Sequence, residues 1–462
     1  MLQLRPYQVD IIEQARKEMR SGVRSILIQS PTGSGKTVLV AQMLKTSASR
    51  GMPSLFIVHR RELIKQSIDT FNEVGVRHGI IANHFLSDSR QLVQIAGIQT
   101  LTHRIGKIRK PRLVIWDECH HCAAAGWSKI HAQFPDAYHI GLTATPERLD
   151  GRGLGGYFKR IINGPSVRWL IDHGYLADYK VFAPSSINTE GLHTIMGDFV
   201  KSELASLVDK PTITGDAIKH YRKLADGKRA VVFCVSIEHS KHVVEQFQAA
   251  GISAAHVDGE TPMEERDEKI EKFRYGIIKV IANVDLFGEG FDLPSLEVSI
   301  LLRPTQSLGL FLQQSGRSLR PSCGKTHAVI LDHAGNTMRH GLPDEERDWS
   351  LEGRGINKHG NKNKLSVRIC PKCFAAQRSV VPTCAFCGFQ FPIEGRQVKQ
   401  AEGDLIEIDP KTFSKTRKRE QGRSATLQDL IDLGRSRGYK RPELWAGFIF
   451  RAKQARKLAG LR

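Results

Sequence analysis

The chain has 462 residues, of which 40% are hydrophobic and 25% charged, a profile typical of a globular protein with room for two or three full-sized domains. No apolar run approaches the ~18 residues of a membrane span, and the start has no basic segment followed by an apolar stretch. We therefore expect a cytoplasmic protein without a membrane partner. The net charge of +20 favours a polyanionic partner.

Two stretches of the chain alternate short Val/Ile/Leu-rich segments with amphipathic helices, which predicts βαβ units and parallel sheets. The strand-like segments lie at 25–29, 54–58, 113–116 and 139–142, and again at 229–235, 278–282, 298–302 and 328–331. We predict an α/β fold with one domain over 1–165, an interdomain connection over 166–209 and a second domain over 210–340.

A phosphate-binding loop is predicted directly after the first strand, at Ser30-Pro-Thr-Gly-Ser-Gly-Lys-Thr37. Its glycines allow successive backbone N–H groups to turn toward phosphate oxygens at the start of a helix. Lys36 is expected to hold the β- and γ-phosphates of ATP, and Thr37 to bind Mg²⁺. The predicted ATP-binding residues of the loop are Thr32, Gly33, Ser34, Gly35, Lys36 and Thr37.

An acidic pair, Asp117 and Glu118, follows the apolar segment 113–116. A carboxylate at the end of a strand beside a phosphate loop can hold Mg²⁺, and its neighbour can deprotonate the attacking water. We assign Asp117 to the metal and Glu118 to the water. The adjacent Cys119-His-His-Cys122 offers zinc ligands, but its place beside the nucleotide already accounts for it.

Two arginines one helical turn apart, Arg317 and Arg320, lie in Gln313-Gln-Ser-Gly-Arg-Ser-Leu-Arg320. Guanidinium groups spaced in this way can reach a γ-phosphate across a cleft, where such arginines raise turnover by roughly 10³–10⁵. Taken alone, the pair would be typical of a solvated helix face. The two upstream motifs favour the catalytic interpretation.

With these three motifs, the sequence resembles the superfamily-2 helicases over roughly Leu2 to His333. The resemblance implies two RecA-like domains with ATP in the cleft between them, and Arg5-Pro-Tyr-Gln8 as the element that reads adenine. It further implies a nucleic-acid track that includes Arg60, Gln99 and Thr100. In the same family Thr143 and Thr145 would couple hydrolysis to strand movement.

In the second domain, 232–235 resembles the family's motif IV and 283–292 its motif V. The latter implies that Asn283 contacts nucleic acid and that Gly290 and Asp292 contact the nucleotide. Gln313 to Arg320 resembles motif VI, which adds Gln313 to the catalytic residues.

The nature of the nucleic acid is suggested by departures from the RNA-directed DEAD-box pattern, since His120 and Thr143 replace its diagnostic residues. Thr143-Ala-Thr-Pro-Glu-Arg148 looks more like the branch that contains DNA-repair translocases, restriction-enzyme motors and phage helicases. We therefore expect an ATP-dependent DNA helicase or translocase. The alternatives are an RNA helicase, the motor of a restriction system and an ATP-gated clamp that does not unwind.

The region after Gly341 carries 25 Lys/Arg against 14 Asp/Glu, over half of the net charge. It is expected to contain a basic linker over 341–369, a zinc-ribbon-like module over 370–392, and a basic linker with a short helical tail over 393–462. The module, with Cys370, Cys373, Cys384 and Cys387 as ligands of one Zn²⁺, is expected to fold apart from the two-domain core. Two roles remain open for it, DNA binding or the stapling of a small fold, and the tail offers a site for a protein partner.

The affinity for DNA is predicted to fall steeply with salt, because phosphate contacts release counterions. Deletion of the chain after about Pro392 removes 17 Lys/Arg against 9 Asp/Glu. A titration of DNA at several salt concentrations should therefore give a shallower slope for the truncated protein. An unchanged slope would mean that the charge of the tail faces solvent or a protein.

Overall fold

The computed structural model describes residues 3–122, 124–148, 151–183, 191–195, 197–208, 211–285, 296–353, 367–392, 420–421, 423–439 and 441–458. It divides the chain into two compact units, Met1–Ile393 and Glu394–Arg462. The larger unit holds two α/β domains, as the sequence predicts.

The first domain is a parallel sheet of seven strands in the order β3-β4-β2-β5-β6-β1-β7. Its strands are β1 (Ser25–Gln29), β2 (Ser54–Val58), β3 (His78–Ile81), β4 (Val93–Gly97), β5 (Leu113–Trp116), β6 (Tyr138–Thr143) and β7 (Arg160–Asn163). The helices are α1 (Pro6–Arg20), α2 (Lys36–Ser49), α3 (Arg61–Val74), α4 (Ile98–Arg104), α5 (Ala125–Gln133) and α6 (Val167–Asp172). The central strands β2 and β5 are buried throughout, as expected for a sheet covered on both faces.

The second domain is an eight-stranded sheet in the order β12-β13-β11-β14-β15-β8-β17-β16. Its strands are β8 (Asp178–Phe182), β11 (Ala230–Phe233), β12 (Ala254–Val257), β13 (Val280–Asn283), β14 (Val298–Leu301), β15 (His327–Asp332), β16 (Val367–Ile369) and β17 (Ala375–Arg378). The helices are α7 (Lys201–Val208), α8 (Pro211–Ala225), α9 (Ile237–Ala249), α10 (Met263–Arg274), α11 (Leu308–Ser318) and α12 (Asn336–His340), and a small hairpin joins β9 (Thr194–Ile195) to β10 (Asp198–Phe199). The six strands from β12 to β8 are parallel, whereas β17 and β16 pair antiparallel.

Two parts of the second sheet differ from the sequence expectation. Strand β8 lies within the expected interdomain connection, yet it pairs with β15. Strands β16 and β17 flank the first cysteine pair, and β17 pairs with β8. The cysteine module therefore extends the sheet of the second domain and does not fold apart from it.

The segment 342–353, here called the strap, also differs from the basic linker expected over 341–369. Trp349 packs against the core of the second domain, and Leu351 packs against the core of the first. The backbone N–H of Gly155 donates to the Leu351 carbonyl over 2.9 Å, and Arg152 pairs with Gly353. Three apolar residues, these two and the buried Leu342, explain why an otherwise polar stretch is held by both domains.

The described part of the smaller unit includes the helices α13 (Leu427–Ser436) and α14 (Pro442–Leu458). A capping box begins α13, because the Thr426 hydroxyl accepts from Asp429 N and the Asp429 carboxylate accepts from Thr426 N. No helix in the described parts of the chain is both long and apolar enough to cross a membrane.

Two histidines are buried uncharged in the cores of the two domains. In the first, Trp116 Nε1 donates to His139 Nδ1 over 3.1 Å, and His139 Nε2 lies 2.9 Å from the Phe134 carbonyl. Burial lowers the pKa of His139 to about 4, although the Phe134 carbonyl opposes the shift. In the second, burial, together with the nearby His220, lowers the pKa of His333 to about 3.

These histidines predict a loss of stability in mild acid. An unfolded histidine titrates near ~6.5, so the unfolded chain takes up protons first as the pH falls from there toward 4, and each such group costs up to about 1.4 kcal/mol per pH unit. The free energy of unfolding, measured by denaturant titration, should therefore decrease as the pH is lowered over this range. Asp117, whose pKa burial and Glu118 raise to about 6, acts in the opposite direction. His139→Gln should make the fall shallower, and an unchanged slope would contradict the assignment to His139.

Candidate functional site

The phosphate loop lies between β1 and α2, at the carboxyl edge of the first sheet. Gly33 and Gly35 have φ values of 84° and 82°, a left-handed conformation that L side chains rarely adopt. Lys36 begins α2, and its Nζ donates to the Ser30 carbonyl over 3.3 Å. The loop thus has the turned backbone and the lysine that phosphate binding requires.

Side chains at the start of α1 form hydrogen bonds with this loop. The Tyr7 hydroxyl donates to the Ser34 carbonyl over 2.5 Å, and Gln8 Nε2 donates to the carbonyls of Ser34 and Gly35 over 3.2 and 3.1 Å. The amide oxygen of Gln8 accepts from Arg5 N over 2.9 Å. The structure thus brings Arg5 and Gln8 to the loop, with the amide of Gln8 engaged by the protein, and its role on adenine stays a prediction.

The acidic pair lies opposite the lysine. Glu118 Oε1 is 3.7 Å from Lys36 Nζ, and within the described residues Glu118 Oε2 accepts no hydrogen bond. Glu118 has a φ of 45°, which costs a residue with a side chain about 1–3 kcal/mol. Burial and the Glu118 carboxylate raise the pKa of Asp117 to about 6, while Lys36 and His59 lower it. A strained, buried acidic pair beside a phosphate loop is typical of a catalytic site.

A series of polar contacts runs from this pair toward the second domain. His120 Nδ1 lies 3.5 Å from Glu118 Oε2 and 3.1 Å from the Thr143 hydroxyl oxygen. The Thr143 hydroxyl donates to the Thr145 carbonyl over 2.9 Å and accepts from Thr145 N over 3.1 Å. Thr145 in turn contacts Gly309 of α11, where an added Cβ would lie 2.9 Å from its hydroxyl oxygen.

Helix α11 carries the motif VI residues of the second domain directly onto the phosphate loop. A Cβ added to Gly316 would lie only 2.8 Å from Thr32 Cβ, so the helix backbone touches the loop. A Cβ added to Gly33 would lie 3.4 Å from Arg320 Cγ, so Arg320 also contacts the loop. Gln313 and Arg317 are buried on the same helix. The residues predicted from three distant motifs therefore meet at one interface.

The expected nucleic-acid residues are more dispersed. Arg60 Nη1 donates to the Asp285 carbonyl across the domains over 2.8 Å, and Gln99 is exposed while Thr100 is buried. Asn283 is 1% exposed and donates to the Val232 carbonyl over 2.9 Å, because it ends β13 beside β11. Its amide therefore joins two strands in this conformation. Gly290 and Asp292 lie outside the described residues.

A cavity of about 600 Å³ between the domains is lined by cationic side chains that the sequence motifs did not single out. Lys201 Nζ donates to the Asp285 carboxylate over 2.5 Å, and Arg303 bridges Asp285 and Asp198. Arg303 directly follows the buried β14, and a cation at the end of a buried strand is the signal that could have identified it. The cavity is also lined by Arg60, His120, Thr145, Asn283 and Gln313.

The four cysteines of the predicted zinc module form one cluster. Their Sγ atoms all lie within 4.8 Å of one another, and the Cys370–Cys387 and Cys373–Cys384 sulfur pairs are each 3.6 Å apart. Thiolates around a tetrahedral ion with bonds of ~2.3 Å are separated by about 3.8 Å, so the cluster fits Zn²⁺. Burial disfavours the Cys370 thiolate, but N–H groups of Cys373 and Lys372 donate to its sulfur and lower its pKa to about 7.

This cluster is embedded in the second domain. Cys370 and Cys384 are part of its hydrophobic core, and Ala183 N donates to the Phe374 carbonyl over 2.9 Å. Phe386 packs against Phe182 of β8 with ring centroids 6.0 Å apart. The four cysteines therefore lie at the edge of the second sheet and pack into its core.

Residues 1–148 match the family model of the res subunit of type III restriction enzymes, and residues 211–322 match the helicase conserved C-terminal domain. A 51.5 kDa protein of Lactococcus phage (isolate 7-9) is 41% identical over 386 residues, 82% of this chain and 82% of that protein. The putative ATP-dependent helicase IRC3 of Saccharomyces cerevisiae is 30% identical over 72% of this chain, which spans 51% of the yeast protein. The DNA 3'-5' translocase XPB2 of Sulfurisphaera tokodaii is 27% identical over 69% of this chain and 79% of its own length.

Among solved structures, a fragment of a putative HsdR subunit of a type I restriction enzyme from Vibrio vulnificus YJ016 superposes with a TM-score of 0.57. It is 24% identical over 73% of this chain and 65% of that chain, so the likeness shows the fold alone. The fold is that of two RecA-like domains, as the sequence resemblance implies.

Loss of the metal ligands is predicted to weaken the second domain itself. Cys384→Ser with Cys387→Ser should release the ion and expose the edge at β8, because the cluster supports β17. We expect a lower melting temperature and a reduced ATPase rate without DNA, measured with metal analysis on the same samples. Cys323→Ser, at an exposed cysteine outside the cluster, is the matched control. A double variant that releases zinc and melts like the unmodified protein would show that the module does not support the sheet.

Proposed function

The chain belongs to the superfamily-2 helicases, and on that premise we propose that it is a DNA-stimulated ATPase that moves along or separates nucleic-acid strands. The observation that carries the proposal is the contact of Gly316 with Thr32, which brings the arginine helix of the second domain onto the phosphate loop of the first. A site assembled from two domains can link hydrolysis to their relative movement.

The first domain would bind the nucleotide. The backbone N–H groups from Gly33 to Thr37 and the ammonium group of Lys36 would hold the phosphates, with Arg5 and Gln8 beside the base. Thr37 and Asp117 offer the oxygen ligands that Mg²⁺ prefers. When bound there, the ion would neutralise charge on the phosphate oxygens.

Glu118 would act as the general base. Its Oε2 is buried without a hydrogen bond among the described residues, so it can accept the proton of an attacking water. His120 lies between the Glu118 carboxylate and Thr143. It would steady the carboxylate and transmit a movement of the carboxylate to Thr143 and Thr145. The contact of Thr145 with Gly309 would then relay the state of the nucleotide to the second domain.

The second domain would complete the site with Gln313, Arg317 and Arg320. Guanidinium groups there stabilise the charge that develops as the γ-phosphate leaves. Because they approach only when the domains are together, hydrolysis would require the closed arrangement. The strap would keep the domains connected when they separate, since Trp349 and Leu351 pack on different domains.

DNA is the proposed polyanion. The sequence departs from the DEAD-box pattern at His120 and Thr143, and the relative from Sulfurisphaera tokodaii is named a DNA translocase. Arg60, Lys201 and Arg303 line the interdomain cavity and supply cations for phosphate contacts. Gln99 is exposed on α4 of the same domain as Arg60.

The test measures ATP hydrolysis with single-stranded DNA, duplex DNA, forked DNA and RNA in parallel, with strand displacement in the same samples. We expect stimulation by DNA above that by RNA, together with displacement or translocation. Stimulation by RNA alone would indicate an RNA helicase. Tight ATP-dependent binding without movement would indicate a clamp, and no stimulation by any nucleic acid would overturn the proposal.

Glu118→Gln should reduce hydrolysis by roughly 10²–10⁴ while ATP binding persists, because the amide cannot accept the proton and the phosphate loop is unchanged. The variant should hold DNA longer in the presence of ATP. Single-turnover hydrolysis, nucleotide titration and DNA dissociation measure the three effects. Glu73→Gln, at an exposed position of α3, is the control. Near-normal turnover of the Glu118 variant would remove it from the role of base.

A further inference from the structure

One lysine outside the helicase motifs lies just after α11, the helix that carries Arg317. Lys325 follows α11 by a short turn, in which its backbone N–H donates to the Ser322 carbonyl over 3.1 Å. Its ammonium group donates to three backbone carbonyls, those of Ser318, Arg320 and Leu296, the last two over 2.8 and 2.6 Å.

This arrangement uses the full capacity of the side chain. An ammonium group has three N–H donors, and here each has its own acceptor. The last carbonyls of a helix lack partners within the helix, and a cation there also interacts favourably with the helix dipole. The contact therefore stabilises the terminus of α11 in one conformation.

The chain around Arg320 lies just beyond α11. Helix α11 ends at Ser318 with Leu319 as its cap, so Arg320 lies beyond the regular hydrogen bonds of the helix. The Leu319 carbonyl accepts from Ala177 N over 2.7 Å, and the next carbonyl along the chain is the one that Lys325 binds. Leu296 comes four residues after the segment 283–292 that resembles motif V. Lys325 thus connects the end of motif VI with the chain that leaves motif V.

We infer that Lys325 is a positioning residue for Arg320, whose backbone it fixes so that the guanidinium group reaches the phosphate loop. The inference rests on the proposed function, because it assigns Lys325 a part in ATP hydrolysis. In this role Lys325 would not touch the nucleotide and would act only through Arg320. A displacement of about 1 Å at such a site costs on the order of 10²-fold in rate.

The surroundings of Lys325 predict a dependence on alkaline pH. Burial lowers its pKa to about 8; Glu297 opposes the shift, and Arg320, Lys228 and Arg229 add to it. At pH 7 the group is charged and holds all three carbonyls. Above about pH 8 the neutral amine keeps two N–H donors and loses its charge, so Arg320 should become less firmly held and turnover should fall.

The first experiment is Lys325→Met, which keeps the length of the side chain and removes its donors. We expect kcat for DNA-stimulated hydrolysis at pH 7.5 to fall by about tenfold to 10²-fold, with KM for ATP changed by less than about threefold. Lys272→Met is the matched control, because Lys272 pairs only with Glu268 at the exposed surface of α10 among the contacts described. An unchanged kcat in Lys325→Met would overturn the inference.

Two further measurements separate positioning from folding. In a double-mutant cycle with Arg320→Ala, Lys325→Met should add less than about twofold, since both changes remove the same contribution. Lys325→Arg, which stays charged, should retain turnover within about threefold and lose the decline near pH 8, even if Lys325→Met lowers the melting temperature. Multiplicative effects in the cycle, or a decline near pH 8 that persists in Lys325→Arg, would contradict the inference. Normal turnover in Arg320→Ala alone would instead refute the proposed role of Arg320.

Discussion

The close contact between Gly316 and Thr32 is the constraint on which the rest of the site depends. A side chain at position 316 would collide with the phosphate loop, since its Cβ would lie 2.8 Å from Thr32 Cβ. With glycine there, the backbone of α11 meets the loop and brings Arg317 and Arg320 to the same place. The nucleotide site is therefore an interface between domains, and its completeness depends on how the domains meet.

Polar contacts that cross the interface are consistent with this dependence. Arg266 Nη1 donates to the Glu62 carboxylate over 2.6 Å, and Arg60 donates to the Asp285 carbonyl. The strap adds a non-covalent connection, in which apolar residues pack against each domain. A partly exposed ion pair such as that of Arg266 with Glu62 contributes about 0–1 kcal/mol, so it can form and break as the domains move. The strap, which partly buries Trp349 and Leu351, is the more lasting connection.

Where the signals are local, the sequence predicted residues that the structure brings close together. The phosphate loop, the acidic pair and motif VI each follow a strand or occupy a helix, and the carboxyl ends of parallel strands meet at one edge. It failed where sheet partners are distant in sequence. Periodicity did not single out β8 as a strand, and it gives no sign that a cysteine hairpin covers the edge of that strand. The burial of Asn283 likewise depends on Val232, some fifty residues away.

The most direct test of the central claim is Gly316→Ala. In the interior of α11, alanine should stabilise the helix by about 0.5–1 kcal/mol, while its methyl group pushes the helix off the loop. Gly447→Ala in α14, where an added Cβ has no neighbour closer than 3.9 Å, is the control. Melting and DNA-stimulated ATP hydrolysis are measured on both variants. We predict that Gly316→Ala melts at or above the temperature of the unmodified protein and loses turnover on the order of 10²-fold. Normal turnover in a stably folded Gly316→Ala protein would contradict the claim that this contact assembles the site.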